Sequence, residues 1–281
     1  MVITLWLVGL ALIALLGMLL IRRPDRLSLV RRVSDRLPTS RRARRGTLEG
    51  VATLVAVSVA GAAIAFVIML VLGAAWVVHH GASIDQPIYR FTIHHQVHDW
   101  MRVMARLTKI GNTWTTWGAV LASAAVLAAF WPARRRWIPP VVLVTALIVD
   151  HYETLAIRHV FGRVGPPNSP HGTYPSGGCE RVVLFYGLIA YLAWREASGR
   201  RASGIWAGVG IAMLAFNEAY SRSYLTLHWF TDAVSGVLYG LLMLLAFTIA
   251  VRIVAGPVRR PHDPVAVPLE RSLEADPAPV G

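Results

Sequence analysis

The chain has 281 residues, 55% of them hydrophobic and only 15% charged, with a mean hydropathy of +0.52. A soluble domain carries nearer a quarter charged residues, so long stretches of this chain meet no water. The formal net charge of +13 does not point to nucleic acid. Its Arg residues cluster in short segments between apolar runs, the pattern that encodes topology in a bilayer protein. The single cysteine, Cys179, excludes an internal disulfide and a cysteine-based metal cage, and reads as a small buried apolar residue.

In chain order, apolar stretches long enough to cross the hydrocarbon core occur at Val2–Ile21, Val51–Val78, Trp114–Trp131, Ile138–Ile157, Val182–Trp194, Ile205–Tyr220 and His228–Val254. The expected fold is therefore all-α, a polytopic membrane bundle of about seven helices. Residues 22–45 hold ten Arg and two Asp, and further Arg clusters follow the third, fifth and seventh spans. All four segments fall on one side of an alternating topology, and the positive-inside rule makes that side cytoplasmic. The first span lacks a positive leading segment and is followed by Arg, so it reads as an anchor with its N-terminus outside. The organisation expected is an anchor helix and basic loop over 1–46, a six-helix membrane domain over 47–256, and a Pro-rich cytoplasmic tail over 257–281. The expected location is the cell membrane, with the remaining loops facing outward.

Those outward loops carry the chemistry. In Ser221-Arg222-Ser223-Tyr224-Leu225-Thr226-Leu227-His228-Trp229-Phe230-Thr231-Asp232, a helix starting near Leu227 would place His228 and Asp232 on one face, four residues apart. A carboxylate so placed fixes one imidazole nitrogen and leaves the other free to attack, with His as the nucleophile. Arg222 supplies a guanidinium fork for phosphate oxygens. The bland alternative is a structural His–Asp hydrogen bond beside a snorkelling Arg. The loop after the fourth span runs from Arg158 through Arg163 and Gly165-Pro166 to Pro175-Ser176-Gly177-Gly178. Its two Arg residues and a Ser-Gly-Gly turn into a helix could form a phosphate pocket, or simply a turn.

Together these segments resemble the type 2 phosphatidic acid phosphatase superfamily, over roughly the second to seventh spans. Its pattern is Lys, six residues, Arg-Pro; then Pro-Ser-Gly-His; then Ser-Arg, five residues, His, three residues, Asp. The third motif matches at Ser221, Arg222, His228 and Asp232. The resemblance implies a six-helix core with its site facing outward. It implies a phosphohistidine on His228 oriented by Asp232, and phosphoryl oxygens held by Arg222, Ser176, Gly177 and Arg158. No metal or cofactor is implied. The implied substrate is a lipid phosphate such as phosphatidic acid or a polyprenyl diphosphate, and hydrolase and phosphotransferase differ only in the acceptor.

Three positions depart from the pattern. Arg158 stands for Lys, and Gly165 for Arg, with Arg163 nearby as a substitute clamp. Gly178 stands where the family has the His that protonates the leaving group. A positioned general acid is worth about a hundred- to ten-thousandfold in rate. Its loss matters least when the leaving group is itself a phosphate, whose second pKa is about 6, which favours a diphosphate. Alternatively another group supplies the proton: His171, Glu180, or His151 and Glu153 at the end of the fourth span. A rise in monophosphate hydrolysis in Gly178→His would support the missing-acid argument, and no change would mean that the acid lies elsewhere or that the pocket has been rebuilt. The rival from another class is a catalytically impaired protein that binds or transports a lipid phosphate.

Two further features are weighed. Glu218, four residues before Arg222, reads as its ion-pair partner. His94-His95-Gln96-Val97-His98-Asp99, continuing to Leu107, reads as an amphipathic helix at the outer interface in preference to a divalent-metal site.

Overall fold

A computed structural model describes residues 1–22, 47–167, 169, 174–197 and 201–256. The basic loop and the tail expected at 257–281 lie outside the described residues, as does His171. The described chain is helical throughout: α1 (Val2–Arg22), α2 (Thr47–Leu72), α3 (Val78–His94), α4 (His98–Leu107), α5 (Thr113–Phe130), α6 (Ile138–Phe161), α7 (Gly177–Arg181), α8 (Gly187–Ala197), α9 (Arg201–Tyr224) and α10 (Phe230–Ala255). Single π turns at Gly73–Val77 and Val182–Tyr186 join α2 to α3 and α7 to α8 without a break. Each span satisfies its backbone internally, as hydrocarbon demands.

Five helical stretches are long and apolar enough to cross a membrane: Val2–Leu19, Thr47–His94, Thr113–Phe130, Ile138–Phe161 and Phe230–Ala255. The fifth and sixth expected spans are helical too, within α7–α8 and α9, but carry more polar residues. Several polar residues in or flanking those spans, among them Glu180, Arg195, Asn217 and Glu218, are buried within the bundle. The second expected span is corrected in length. Helix runs on from Thr47 to His94, 48 residues or about 72 Å, more than twice the roughly 30 Å hydrocarbon core. Its apolar signal stops near Val78, yet α3 continues as helix because it has a protein partner in α10. The amphipathic segment is also corrected: the chain turns at His95–Val97, and α4 starts at His98.

α10 is the central helix. Its buried residues, Tyr239, Met243, Phe247 and Val251 among them, pack with Leu54, Met69, Leu143 and Phe185 in one core. Small residues permit close approach. A Cβ on Gly236 would lie 2.3 Å from the Ser176 carbonyl oxygen, and one on Gly240 would lie 2.6 Å from that of Glu180. The start of α7 is thereby pressed onto α10. α1 runs antiparallel to α9, with Gly9 facing the Phe216 ring and Gly17 facing Val209. Trp6 Nε1 donates to Asn217 Oδ1 (3.3 Å) and the Tyr220 hydroxyl to the Val2 carbonyl (2.8 Å). α4 docks on the same end, where Met104 is buried against Val2 and Tyr224.

The two ends differ in chemistry. At one end Arg135 and Arg195 donate to the final carbonyls of α10 (Ala255, 2.7 and 3.0 Å), cations at the negative helix terminus. The other end gathers the C-termini of α3, α6 and α9 with the N-termini of α7 and α10. It holds the motif residues.

Candidate active site

α9 ends at Tyr224 and the chain reverses through Leu225–Trp229. The Leu227 and His228 amides both donate to the Arg222 carbonyl (3.0 and 3.4 Å), folding the turn back over the last helical residues. Thr226 takes φ +54°, a left-handed conformation costly for a β-branched residue. α10 starts at Phe230, so the expectation of His228 and Asp232 on one helix face is corrected. His228 precedes the helix, and Asp232 sits at its third position, where Oδ2 accepts from the Trp229 N–H (3.3 Å). The fold-back sets His228 Nε2 3.3 Å from Arg222 Nη1. A guanidinium can only donate, so this contact presents the Nε2 lone pair toward Arg222.

Arg222 is held firmly. Its Nε donates to Glu218 Oε1 at 2.5 Å, and its Nη2 reaches Asn112 Oδ1 at 3.4 Å. Glu218 is fully buried and also accepts from Thr108 Oγ1 (3.1 Å), so the expected pairing is present. This geometry explains Gly178. A Cβ there would lie 2.2 Å from Arg222 Cζ and Nη2, inside the guanidinium. A side chain at 178 therefore requires the Arg222 guanidinium to shift. Gly111 plays the same part for Glu218, whose Oε1 would be 2.3 Å from a Cβ at that position.

The Ser176–Gly178 turn lies beside these groups. The Ser176 N–H donates to the Asp232 carbonyl (3.0 Å), tying the turn to α10, and its buried Oγ has no hydrogen-bond partner. A Cβ on Gly177 would lie 2.9 Å from Arg158 Nη2 and 3.4 Å from both terminal nitrogens of Arg181. Arg158 Nε is likewise buried without a partner. Glycine at 177 thus lets two guanidinium groups approach the turn backbone. α6 delivers Arg158 and ends on Gly162, whose φ of +51° suits the left-handed helix stop.

Arg163 occupies a different place. It donates to Asp232 Oδ1, to Thr231 Oγ1 (2.9 Å) and to Asp85 Oδ2 (2.6 Å). Asp85 is a residue that sequence reasoning missed. Buried on α3, it also accepts from the Thr231 N–H (2.9 Å) and Oγ1 (2.7 Å), capping α10 from another helix. A signal existed in Gly81-x-x-x-Asp85, since a Cβ on Gly81 would lie 2.8 Å from Arg163 Nη2. Thr108, Asn112 and Arg181 were also missed, because their roles depend on neighbours distant in sequence.

The proton-donor candidates are scattered. Glu180 is fully buried within the bundle, bonded to Thr154 (2.9 Å), beside an Asp150–Arg181 ion pair (3.2 Å). Glu153 accepts from the Tyr239 hydroxyl. His151 is exposed and packs edge-on to Trp117. Outside the spans, burial pushes the Tyr174 hydroxyl above its usual range. In the histidine segment, His95 Nδ1 lies 2.7 Å from the Phe91 carbonyl, and among the described residues no group of three or more His, Cys, Asp or Glu converges as a metal site.

An all-helical bundle with several membrane-crossing helices, bearing a histidine, arginine and carboxylate cluster at one end, defines a class of multi-pass membrane protein. Comparisons with known proteins show what it is similar to. The family model of the PAP2 superfamily matches residues 150–254, which bears out the resemblance drawn from the motifs. Among solved structures, a transmembrane PAP2 type phosphatidylglycerolphosphate phosphatase from Bacillus subtilis is similar, with 21% identity and a TM-score of 0.57 over 66% of this chain and 94% of that one. At this identity the likeness establishes the fold. No curated protein matches the sequence.

Proposed function

We propose that this protein transfers the terminal phosphoryl group of a membrane lipid phosphate or diphosphate, by displacement at phosphorus, through a phosphohistidine on His228. The observation that carries the reading is the 3.3 Å approach of His228 Nε2 to an Arg222 guanidinium buttressed by Glu218. Nε2 attacks phosphorus in line and the bond from phosphorus to the leaving oxygen breaks, releasing a lipid phosphate, or a lipid alkoxide that takes its proton from solvent. Asp232 balances the charge that develops on the imidazole. Arg222, Arg158, the Ser176 hydroxyl and the Gly177 amide hold the phosphoryl oxygens, and catalysis rests on positioning and charge. Water or a lipid alcohol then attacks the phosphohistidine, so hydrolase and transferase share the first step. No side chain at 178 protonates the leaving group, which favours a diphosphate, whose leaving phosphate needs no strong acid. The fold neighbour is described as a phosphatidylglycerolphosphate phosphatase, which makes lipid phosphates the class to assay. The distribution of the Arg clusters supports a site on the extracytoplasmic face of the cell membrane.

Gly178 also supports a second reading, a lipid-phosphate binder or transporter without turnover. The test is phosphate release from phosphatidic acid and polyprenyl diphosphate by purified protein, with wild type beside His228→Ala. The enzyme predicts an acid-labile phosphoprotein and turnover, both abolished in His228→Ala. Phosphate affinity without turnover, unchanged in that variant, selects the binder. Equal or faster release from the monophosphate overturns the diphosphate preference.

A further inference from the structure

Resting on the phosphate site proposed above, we infer that Arg181 is its third guanidinium, in the part left by Gly165, and that Arg163 is a positioning residue which holds no phosphate. Arg181 belongs to none of the three motifs. It reaches the site because α7 begins at Gly177 and one helical turn returns the side chain at 181 over its own N-terminus. Its Nε donates to Asp150 Oδ2 at 3.2 Å, which orients the fork. Both terminal nitrogens then stand 3.4 Å from where a Gly177 Cβ would be, beside Arg158 Nη2 at 2.9 Å. The neighbouring position 178 is filled by Arg222.

Three guanidinium groups thus converge on a two-glycine turn. Beside them the Ser176 Oγ is wholly buried without a partner, and so is the Nε atom of Arg158. Buried donors and clustered like charges are costly unless an anion meets them. Asp150 and Glu218 balance two of the charges from behind, and a phosphoryl group would meet the three forks in front. Arg163 cannot serve in the same way, since both terminal nitrogens are committed to Asp232, Asp85 and Thr231. Its effect on the reaction runs through Asp232.

Orthovanadate, a mimic of five-coordinate phosphorus, separates the two roles by titration calorimetry on the purified full-length protein in detergent. Arg181→Lys keeps a cation for Asp150 but loses the planar fork. It is expected to weaken vanadate binding about tenfold with an unchanged melting temperature, one lost charge-assisted contact. Arg163→Lys is expected to change that affinity by less than about threefold while lowering kcat. Should Arg181→Lys melt early, the double variant Arg181→Gln with Asp150→Asn removes the buried pair together and carries the same expectation. Affinity within twofold of wild type in the Arg181 variants, or an equal loss in Arg163→Lys, overturns the inference. Wild type that binds no vanadate and forms no phosphoprotein overturns the phosphate site itself; a phosphoprotein whose vanadate affinity ignores Arg181 overturns this assignment alone.

Discussion

At Gly178 the absence of a side chain has a structural cause, which changes what a substitution there should do. A general acid restored by Gly178→His would in principle gain two or more orders of magnitude. The Cβ alone, however, would stand 2.2 Å from the Arg222 guanidinium. The Arg222 guanidinium must shift before any imidazole can be placed, which disturbs the Glu218 bond and the contact to His228. Charge-assisted bonds of this kind are worth about 1.5–3 kcal/mol each, and the displaced cation is the one facing the nucleophile. Gly178→His is therefore expected to lower turnover at least tenfold on monophosphate and diphosphate alike, and Gly178→Ala by a smaller factor. Initial rates on both lipids check this; a rise on the monophosphate would show that the pocket accommodates both groups. The histidine, arginine and aspartate of the third motif were legible in the sequence because their spacing is local. What Gly178 does was not, because its neighbour Arg222 lies across a helix interface.

Among the elements, α3 contributes more than its composition announces. Hydropathy ends the second span near Val78, and the segment from His79 to Asn112 falls among the outward loops because it is too polar to sit in lipid. Val78–His94 is helix packed against α10, where Asp85 caps the start of that helix. Asp85→Ala removes the cap on the Thr231 N–H, worth about 1–2 kcal/mol, and leaves the Arg163 charge wholly on Asp232. Expected results are a lower melting temperature in detergent and a turnover reduced about tenfold. Asp85→Asn keeps an acceptor for Thr231 without the charge, so it should recover most of the stability and little of the turnover. A variant that recovers both would reduce Asp85 to a cap. The helices themselves were legible as apolar runs. The two inner ones, α7–α8 and α9, were read as spans despite their charges, and those charges are sheltered by packing that hydropathy does not register.

For the whole molecule, the described bundle has a basic end and a site end, and the proposed topology sets them on opposite sides of the membrane. Cys179 is buried, so the chain offers a silent background for thiol labelling. Asp99 on α4 and Arg134 beyond α5 are both exposed at opposite ends. On intact cells an impermeant maleimide is expected to label Asp99→Cys, and to label Arg134→Cys only after permeabilisation. The reverse pattern would place the site in the cytoplasm and exclude extracytoplasmic substrates.

The ion pair of α3 and the polar contacts that follow it in the chain bear on modularity. The family pattern begins at residue 150, yet Asp85, Thr108 and Asn112 all lie upstream of it. Transplanting 150–254 behind a foreign pair of helices would carry His228 and Arg222 across intact. It would also leave Arg163 one carboxylate short and Glu218 without its threonine. In a chimera of that kind the motif would be complete on paper and its electrostatics wrong, so the heritable unit of this site reaches back to the first helix that touches it.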